Sequence, residues 1–266
     1  MSVNDLRGAS RNVARLDQDA IARAKRLDAK LAACATLEER IALISAEVPG
    51  RITFSTSLGI EDQAVTHAIA SAGKSIDIFT LDTGRHFPET LDTLFETEAR
   101  YGLKIRDMFP DAAEVEELVS NDGIYGFRYS VDARKACCDI RKVRPLNRAI
   151  AGASAWITGL RREQSQDRAF VPFATYDSTQ KLIKLNPIAD WTLPQLEDYV
   201  AANKIPVNPL HAKGFPSIGC QPCTRAIAPG EDIRAGRWWW ENENGKECGL
   251  HVAPAGTPKD NKGQSL

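Results

Sequence analysis

Five of the six cysteines lie where thiol chemistry is expected. Cys137 and Cys138 are adjacent, Cys220 and Cys223 form a C-x-x-C pair, and Cys248 stands alone near the C-terminus, in the sequence Glu-Cys-Gly-Leu-His. Paired thiols suit a metal centre, because the turn in a C-x-x-C lets both sulfurs converge on one metal. A lone exposed thiol suits nucleophilic attack, since the thiolate is a strong nucleophile.

The spacing of the paired cysteines leaves the nature of the centre open. Zinc and an iron-sulfur cluster both accept four thiolates. Adjacent cysteines are a rarer ligand pair, and both can face one centre only where the backbone bends, as at a helix start. A vicinal disulfide or two unrelated buried thiols are the alternatives to a metal site.

Two loops carry residues that suit an anion. Residues 55–62, Ser-Thr-Ser-Leu-Gly-Ile-Glu-Asp, offer hydroxyls, one glycine and a following helix, whose first N–H groups and dipole favour negative charge. The loop is neither a Walker A nor a G-x-G-x-x-G sequence, so a simple capped helix start is the alternative. In the second loop Arg161 and Arg162 follow an apolar strand, and Arg suits bidentate phosphate or sulfate contacts. Lys142 lies one helical turn from Cys138 and can stand beside whatever the cysteines bind.

Strand and helix patterns alternate through most of the chain. Helical spacing of apolar residues over 17–48 predicts one or two amphipathic helices. Strands are predicted at 52–55, 76–81, 103–108 and 154–158, and helices at 60–70, 88–101, 112–120 and 139–151. This alternation predicts an α/β fold with a mostly parallel sheet and helices on both faces, in which ligands bind beyond the carboxyl ends of the strands. Beyond residue 159 we predict a hairpin at 170–185, a helix at 193–203 and an irregular stretch at 208–236.

The length of 266 residues suits one main domain. We expect a helical segment at 1–48, an α/β domain at 49–236 and a mobile C-terminal tail at 237–266 that carries Cys248. Within the tail, the run Trp238–Trp240 suits packing or, less commonly, stacking on an aromatic ligand.

Composition and charge limit the classes of partner and the cellular location that the sequence predicts. The net charge of -1 gives no overall attraction to nucleic acid or to an anionic membrane, so any anion site must be local. The N-terminus lacks the pattern of a signal peptide, and no run approaches the ~20 apolar residues of a membrane span. These features predict a cytoplasmic protein, in which cysteine pairs serve metal or redox sites rather than structural disulfides.

Taken in order, these elements resemble the assimilatory sulfonucleotide reductases, the adenosine 5'-phosphosulfate reductases in particular, over about residues 45 to 252. The matching elements are the loop 55–62, the sequence Leu-Asp-Thr-Gly at 81–84, the pair Cys137 and Cys138 with Lys142, the sequence Thr-Gly-Leu-Arg-Arg at 158–162, the pair Cys220 and Cys223, Arg234 with Arg237, and Glu-Cys-Gly-Leu-His at 247–251.

The resemblance implies a fold like the ATP pyrophosphatases and the adenine-nucleotide alpha hydrolases. It implies that Cys248 attacks the sulfur of adenosine 5'-phosphosulfate, that AMP leaves, and that thioredoxin or a glutaredoxin-type dithiol releases sulfite from the S-sulfo-cysteine. It also implies a 4Fe-4S cluster on Cys137, Cys138, Cys220 and Cys223, and a possible homo-oligomer. The substrate-binding residues so implied are Ser55, Ser57, Gly59, Asp62, Leu81, Thr83, Lys142, Gly159, Arg161, Arg162, Arg234 and Arg237.

Other functions stay open on sequence grounds. The 3'-phosphorylated sulfonucleotide is an alternative substrate, alone or together with the unphosphorylated one. Sulfur-inserting tRNA enzymes share the expected fold and C-x-x-C pairs, but they would be expected to show a Gly-Gly-type pyrophosphate loop and an RNA-binding surface. A non-catalytic metal-binding module would leave the motif around Cys248 without a purpose.

Overall fold

The structure is a computed structural model that describes residues 3–241, with side chains for residues 17–165 and 167–241. The expected nucleophile Cys248 and its neighbour His251 lie outside the described residues. Eight α-helices and six strands are described, together with one π-helical segment, Asp139–Val143, and several single 3-10 turns. The helices are α1 (Val3–Ala32), α2 (Leu37–Glu47), α3 (Ile60–Ser71), α4 (Pro88–Tyr101), α5 (Ala112–Asp122), α6 (Val131–Cys138), α7 (Arg144–Ile150) and α8 (Leu193–Ala202); the strands are β1 (Ile52–Thr56), β2 (Asp77–Leu81), β3 (Arg106–Met108), β4 (Ala155–Ile157), β5 (Ala174–Asp177) and β6 (Leu182–Leu185).

The six strands form one sheet in the order β3-β2-β1-β4-β6-β5. All neighbouring strands pair in parallel except β5, which pairs antiparallel with β6 as the predicted hairpin. The strand order reverses between β1 and β4, where Phe54 lies opposite Ile78 on one side and Ile157 on the other. The carboxyl ends of two adjacent strands therefore open onto a crevice, the usual ligand position in such sheets.

Both faces of the sheet are covered, as the alternation predicted. On one face Phe54, Ile78 and Ile157 pack in a core with apolar residues of α1, α2 and α3. On the other face Phe79 and Trp156 pack against residues of α7. Because side chains alternate along a strand, neighbours such as Ile78 and Phe79 belong to opposite cores. The expected α/β class with a mostly parallel sheet is confirmed.

Polar contacts attach the N-terminal helices to the sheet. Arg40 of α2 is buried and its guanidinium binds the carboxylate of Asp190 at 2.6 and 2.9 Å. Asp17 of α1 accepts hydrogen bonds from Tyr176 at 2.6 Å and from Lys181 at 2.7 Å on the hairpin. These contacts join the helical segment to the α/β part, so the boundary at residue 48 stays a prediction. None of the described helices is long and apolar enough to cross a membrane.

The helical region before β4 differs from its prediction. A helix was expected over 139–151, but helical structure begins at Val131, becomes a π-helix at Asp139 and resumes as α7 at Arg144. Ser130 caps the start by accepting a hydrogen bond from the N–H of Ala133. Arg144 precedes Pro145, whose missing N–H cannot continue a regular ladder, and this favours a change of helical type there.

Candidate functional site

A cavity of about 230 Å³ opens at the carboxyl ends of β1, β2 and β4, where the strand order predicted a ligand site. Ten of the twelve residues that the resemblance assigned to substrate binding line it: Ser55, Ser57, Gly59, Asp62, Leu81, Thr83, Lys142, Gly159, Arg234 and Arg237. The fold therefore brings together residues as far apart in the sequence as Ser55 and Arg237.

The loop after β1 is organised by its own carboxylate. Oδ2 of Asp62 accepts hydrogen bonds from the N–H and the hydroxyl of Ser57, both at 2.6 Å. Burial raises the pKa of Asp62 to about 6, and the hydrogen bonds from Ser57 oppose that rise. Since Asp62 already occupies this loop and Glu61 lies beside it on the cavity wall, the helix start is not an open anion site. This end of the cavity presents hydrogen-bond acceptors instead.

The loop after β4 packs directly on the first loop. A Cβ atom at Gly159 would lie 2.2 Å from Oδ1 of Asp62, so only glycine lets the two loops approach this closely. In the strands below, Nε1 of Trp156 donates a hydrogen bond to the hydroxyl of Ser55 at 2.8 Å. The contacts fix the relative position of the loops.

Cations lie on other parts of the wall. Lys142, Arg234 and Arg237 line the cavity, together with Arg168, which the sequence analysis did not single out. Arg237 is buried, and its Nε has no hydrogen-bond partner among the described residues. Lys142 and Arg237 both favour the charged form of the nearby Cys223 thiol, which places these cations next to the cysteines.

Arg161 and Arg162 do not line the cavity, although the resemblance assigned both to the substrate. Arg161 is buried, and its Nε and Nη2 donate hydrogen bonds to Oε1 of Glu61 at 3.2 and 3.0 Å. The Nε of Arg162 donates to the carbonyl of Val171 at 2.9 Å. Both guanidinium groups are thus directed to protein acceptors, although their neighbours Leu160 and Gln164 line the cavity. Arg161 instead positions Glu61, which does line the cavity.

The four paired cysteines line one smaller cavity beside the first. None of them forms a disulfide, which excludes a vicinal pair at Cys137 and Cys138 in this structure. The two cavities share Lys142, Cys220 and Trp238. The hydroxyl of Thr83 lies 3.3 Å from Sγ of Cys220, so a side chain from the β2 loop contacts the C-x-x-C.

The helix change at residue 139 explains how adjacent cysteines face one cavity. Cys137 and Cys138 form the end of α6 and the π-helix follows at once, so the bend lies at a helix end rather than at a helix start. Neighbouring residues of a helix point about 100° apart, which lets both sulfurs reach the same space. Lys142 lies about one π-helical turn after Cys138 and lines the same cavity.

The surroundings of the cysteines suit an anionic group held by thiolates. Arg85, Arg134, Arg141 and Lys142 all line this cavity, and Nε of the buried Arg141 has no partner among the described residues. Burial raises the pKa of Cys223 to about 12, and the positive charges of Lys142 and Arg237 oppose that rise.

The four thiols border one shared cavity lined by cations. Four thiolates are a donor set that fits a metal centre, either zinc or an iron-sulfur cluster.

Trp238 separates the two cavities. It is 1% exposed, and its ring lies between the guanidinium groups of Arg134 at 4.4 Å and Arg237 at 4.7 Å. Arg134 in turn forms a buried ion pair with Glu241 at 2.5 Å. Arg237, Trp238 and Glu241, which were assigned to the mobile tail, are therefore packed into the site in this structure. The tail that carries Cys248 continues from this point.

Comparison with known proteins decides the family. The model of the phosphoadenosine phosphosulfate reductase domain matches residues 51–226. The chain belongs to this family. It is 54% identical over 229 residues to the adenosine 5'-phosphosulfate reductase of Agrobacterium fabrum strain C58, covering 86% of this chain and 87% of that one. It is also 54% identical to the adenosine 5'-phosphosulfate reductase of Sinorhizobium fredii strain USDA 257, over 88% of this chain and 92% of that one. The expected class, a reductase that acts on sulfur, is thereby confirmed.

A solved structure supports the fold. The phosphoadenylyl-sulfate reductase of Candida auris, determined as a phosphate complex, superposes with a TM-score of 0.65 at 24% identity, covering 77% of this chain and 96% of that one. At this identity the likeness establishes the fold and leaves the residues of the site to be argued from their own geometry.

Proposed function

We propose that this protein reduces adenosine 5'-phosphosulfate to sulfite and AMP, with two electrons from a thioredoxin or glutaredoxin-type dithiol. The observation that carries the proposal is the junction of the two cavities. A nucleotide-sized cavity with a cationic wall meets four clustered cysteines, and Lys142 contributes to both. The names of the relatives support the choice of this substrate over its 3'-phosphorylated form.

The charges of the cavity orient the substrate. The nucleoside lies against the loops after β1 and β4, where Ser57, Asp62 and Gly159 present neutral or acceptor groups. The phosphosulfate lies toward Lys142 and Arg237, next to the cysteines. Arg168 and Arg234 add positive charge to the same cavity. Preorganised cations stabilise the charge that develops on the departing phosphate better than water does.

The first chemical step uses Cys248. Its thiolate attacks the sulfur of the bound substrate, an S–S bond forms, and the bond between sulfur and the bridging oxygen of AMP breaks. AMP leaves with the electron pair and the enzyme carries an S-sulfo group. Neighbouring cations lower the pKa of a thiol, so the arginines that hold the phosphosulfate also favour the reactive thiolate.

The second step uses the dithiol. One of its thiolates attacks Sγ of Cys248, sulfite leaves with the electron pair of the S–S bond, and a mixed disulfide remains. The second thiol of the partner then attacks its own disulfide-bonded sulfur and regenerates Cys248. The partner is oxidised and the sulfonate sulfur is reduced, so the electrons balance. Because thiol reductants are kept reduced in the cytoplasm, we place the reaction there.

Cys137, Cys138, Cys220 and Cys223 would hold a 4Fe-4S cluster. When bound, such a group supplies an anionic centre that orients Lys142 electrostatically, and the two electrons still pass only through Cys248. The chemistry requires Cys248, which lies outside the described residues, to meet the bound nucleotide first and the dithiol afterwards. Assembly into a homo-oligomer would be independent of this chemistry.

The test is sulfite release by anaerobically purified protein with thioredoxin, comparing adenosine 5'-phosphosulfate with its 3'-phosphorylated form. We expect rapid release from the first substrate only, and a loss of at least about 100-fold in kcat/KM for Lys142→Ala. Lys74→Ala is the matched control and should retain full activity, because Lys74 lies on an exposed loop and does not line the cavity. Sulfite from the 3'-phosphorylated form alone would overturn the substrate assignment, and no sulfite from either would overturn the reductase.

A further inference from the structure

His211 lines the nucleotide cavity with an unpartnered ring nitrogen. Its Nδ1 lies 2.9 Å from the carbonyl oxygen of Phe215, and since a carbonyl can only accept, Nδ1 carries the proton. Its Nε2 is buried and has no hydrogen-bond partner among the described residues. Burial lowers the pKa of His211, so the ring is neutral near pH 7 and Nε2 is an acceptor without a partner among the described residues.

The fold holds this ring in place. Asn208 is buried, donates a hydrogen bond to the hydroxyl of Thr90 at 3.0 Å, and accepts one from the N–H of Leu210 at 3.0 Å. These contacts fix the single 3-10 turn that starts at His211. Phe215 is itself fixed by an edge contact with Phe87, with ring centroids 5.7 Å apart. The carbonyl that orients the imidazole is therefore part of the packed structure.

Glu61 lines the same cavity as His211. Its carboxylate opposes part of the decrease in the pKa of His211. Oε1 of Glu61 accepts two hydrogen bonds from Arg161. No hydrogen bond to Oε2 is formed by the described residues. The residues that line the cavity thus include two acceptor atoms without a hydrogen-bond partner among the described residues, the neutral Nε2 of His211 and Oε2 of Glu61, whose other oxygen is paired with Arg161.

We propose that His211 and Glu61 bind the ribose cis-diol of the nucleotide, and that they exclude a 3'-phosphate. This inference rests on the proposed function, because it assumes that the cavity binds an adenine nucleotide. A cis-diol is the part of a nucleotide that offers two neutral donors side by side, and a carboxylate that accepts from a ribose hydroxyl is a recurring arrangement. A 3'-phosphate would set an anion without donors against a lone pair and a carboxylate.

The pair therefore makes His211 a specificity-determining residue. Removing one hydroxyl from the ligand should cost about tenfold in affinity when its acceptor is present, the ordinary value of one hydrogen bond. Phosphorylating the 3'-hydroxyl should cost about 100-fold or more, since it adds charge repulsion to the lost bonds.

The test measures binding of AMP, 2'-deoxy-AMP, 3'-deoxy-AMP and adenosine 3',5'-bisphosphate by calorimetry, which does not depend on turnover. In wild type we expect each deoxy ligand to bind about tenfold more weakly than AMP. In His211→Phe, AMP should bind about tenfold more weakly, and removal of the hydroxyl that His211 contacts should cost nothing further. His211→Gln keeps an acceptor and should restore most of the affinity. Glu61→Gln should narrow the gap between AMP and the bisphosphate by about tenfold.

His67→Phe is the matched control, because His67 contacts Tyr101 and does not line the cavity. It should bind all four ligands as wild type does. The inference would be overturned if each deoxy ligand lost as much affinity relative to AMP in His211→Phe as in wild type. It would also be overturned if His211→Phe changed the difference in affinity between AMP and IMP, because His211 would then contact the exocyclic amine of the base. Failure of wild type to bind AMP at all would instead overturn the proposed function, and this inference with it.

Discussion

Gly159 is the position where one added methyl group tests the geometry of the site. A Cβ at this residue would lie 2.2 Å from Oδ1 of Asp62 and 3.2 Å from Cβ of Glu61. Non-bonded carbon and oxygen atoms stand more than about 3 Å apart, so in Gly159→Ala the carboxylate of Asp62 has to move by about 1 Å.

Asp62 cannot move without losing hydrogen bonds. Its Oδ2 accepts from the N–H and the hydroxyl of Ser57, each at 2.6 Å, and the carboxylate is buried. A hydrogen bond to a charged group contributes about 1.5 to 3 kcal/mol. We therefore expect Gly159→Ala to lower the free energy of unfolding by about 3 kcal/mol, and to weaken AMP binding because the two loops move apart.

The assay is urea unfolding of four proteins: wild type, Gly159→Ala, Asp62→Ala and the double variant. When Asp62 is already alanine the added methyl group has no oxygen to displace, so its cost should fall below about 1 kcal/mol. Gly73→Ala is the control, because nothing lies within 4 Å of the added atom and only the φ of +59° adds strain, at about 1 to 2 kcal/mol. An equal cost of Gly159→Ala with and without Asp62 would refute the reasoning.

Three further predictions concern charge and the cysteines. Burial raises the pKa of Asp62 from 3.8 to about 6, so the native state holds this proton more tightly than the unfolded state. The free energy of unfolding, measured with urea, should therefore fall by up to about 3 kcal/mol from pH 4 to pH 7 relative to Asp62→Asn. The same dependence of this free energy on pH in both proteins would contradict the prediction. Cys220→Ser should lose most iron and sulfide from anaerobically purified protein, whereas Cys34→Ser, which lies away from the cluster cavity, should retain them; unchanged iron in Cys220→Ser would remove that residue from the ligand set. Arg134→Met should lower the free energy of unfolding by about 3 to 5 kcal/mol, because it leaves the carboxylate of Glu241 charged and buried. Adding Glu241→Leu to this variant should recover part of the loss. Thermal unfolding that shows no recovery in the double variant would contradict the role of the ion pair.

Local signals predicted the regular elements well. The helix expected at 88–101 is α4, Pro88–Tyr101, because a proline suits a first turn and Gly102 ends the helix in the left-handed conformation. Thr192 caps α8 as predicted, with Gln195 completing a capping box. These signals depend on residues within one turn of each other, which the sequence displays directly.

Features that depend on tertiary packing were harder to predict from the sequence. The π-helix after Cys138 lies where two helical pieces meet beside the cysteine cavity, and Pro145 marks a change of helical structure there without specifying its type. Arg161 follows a strand just as a phosphate-binding arginine would, yet it is buried against Glu61. His211 is separated from the β1 loop by about 150 residues in the sequence, so only the folded chain shows that both border one cavity. The sequence around His211 carries no distinguishing pattern, because the group that orients its ring is a backbone carbonyl, that of Phe215.

The central claim is that Cys248 carries the sulfur between the two half-reactions. The most direct measurement is mass spectrometry of the protein after it is mixed with adenosine 5'-phosphosulfate in the absence of any dithiol, with AMP release followed in the same sample. The account predicts one SO3 adduct per chain on Cys248, formed together with one AMP and discharged as sulfite when thioredoxin is added, and no adduct in Cys248→Ser. An adduct on another cysteine, or sulfite formation by Cys248→Ser, would contradict it.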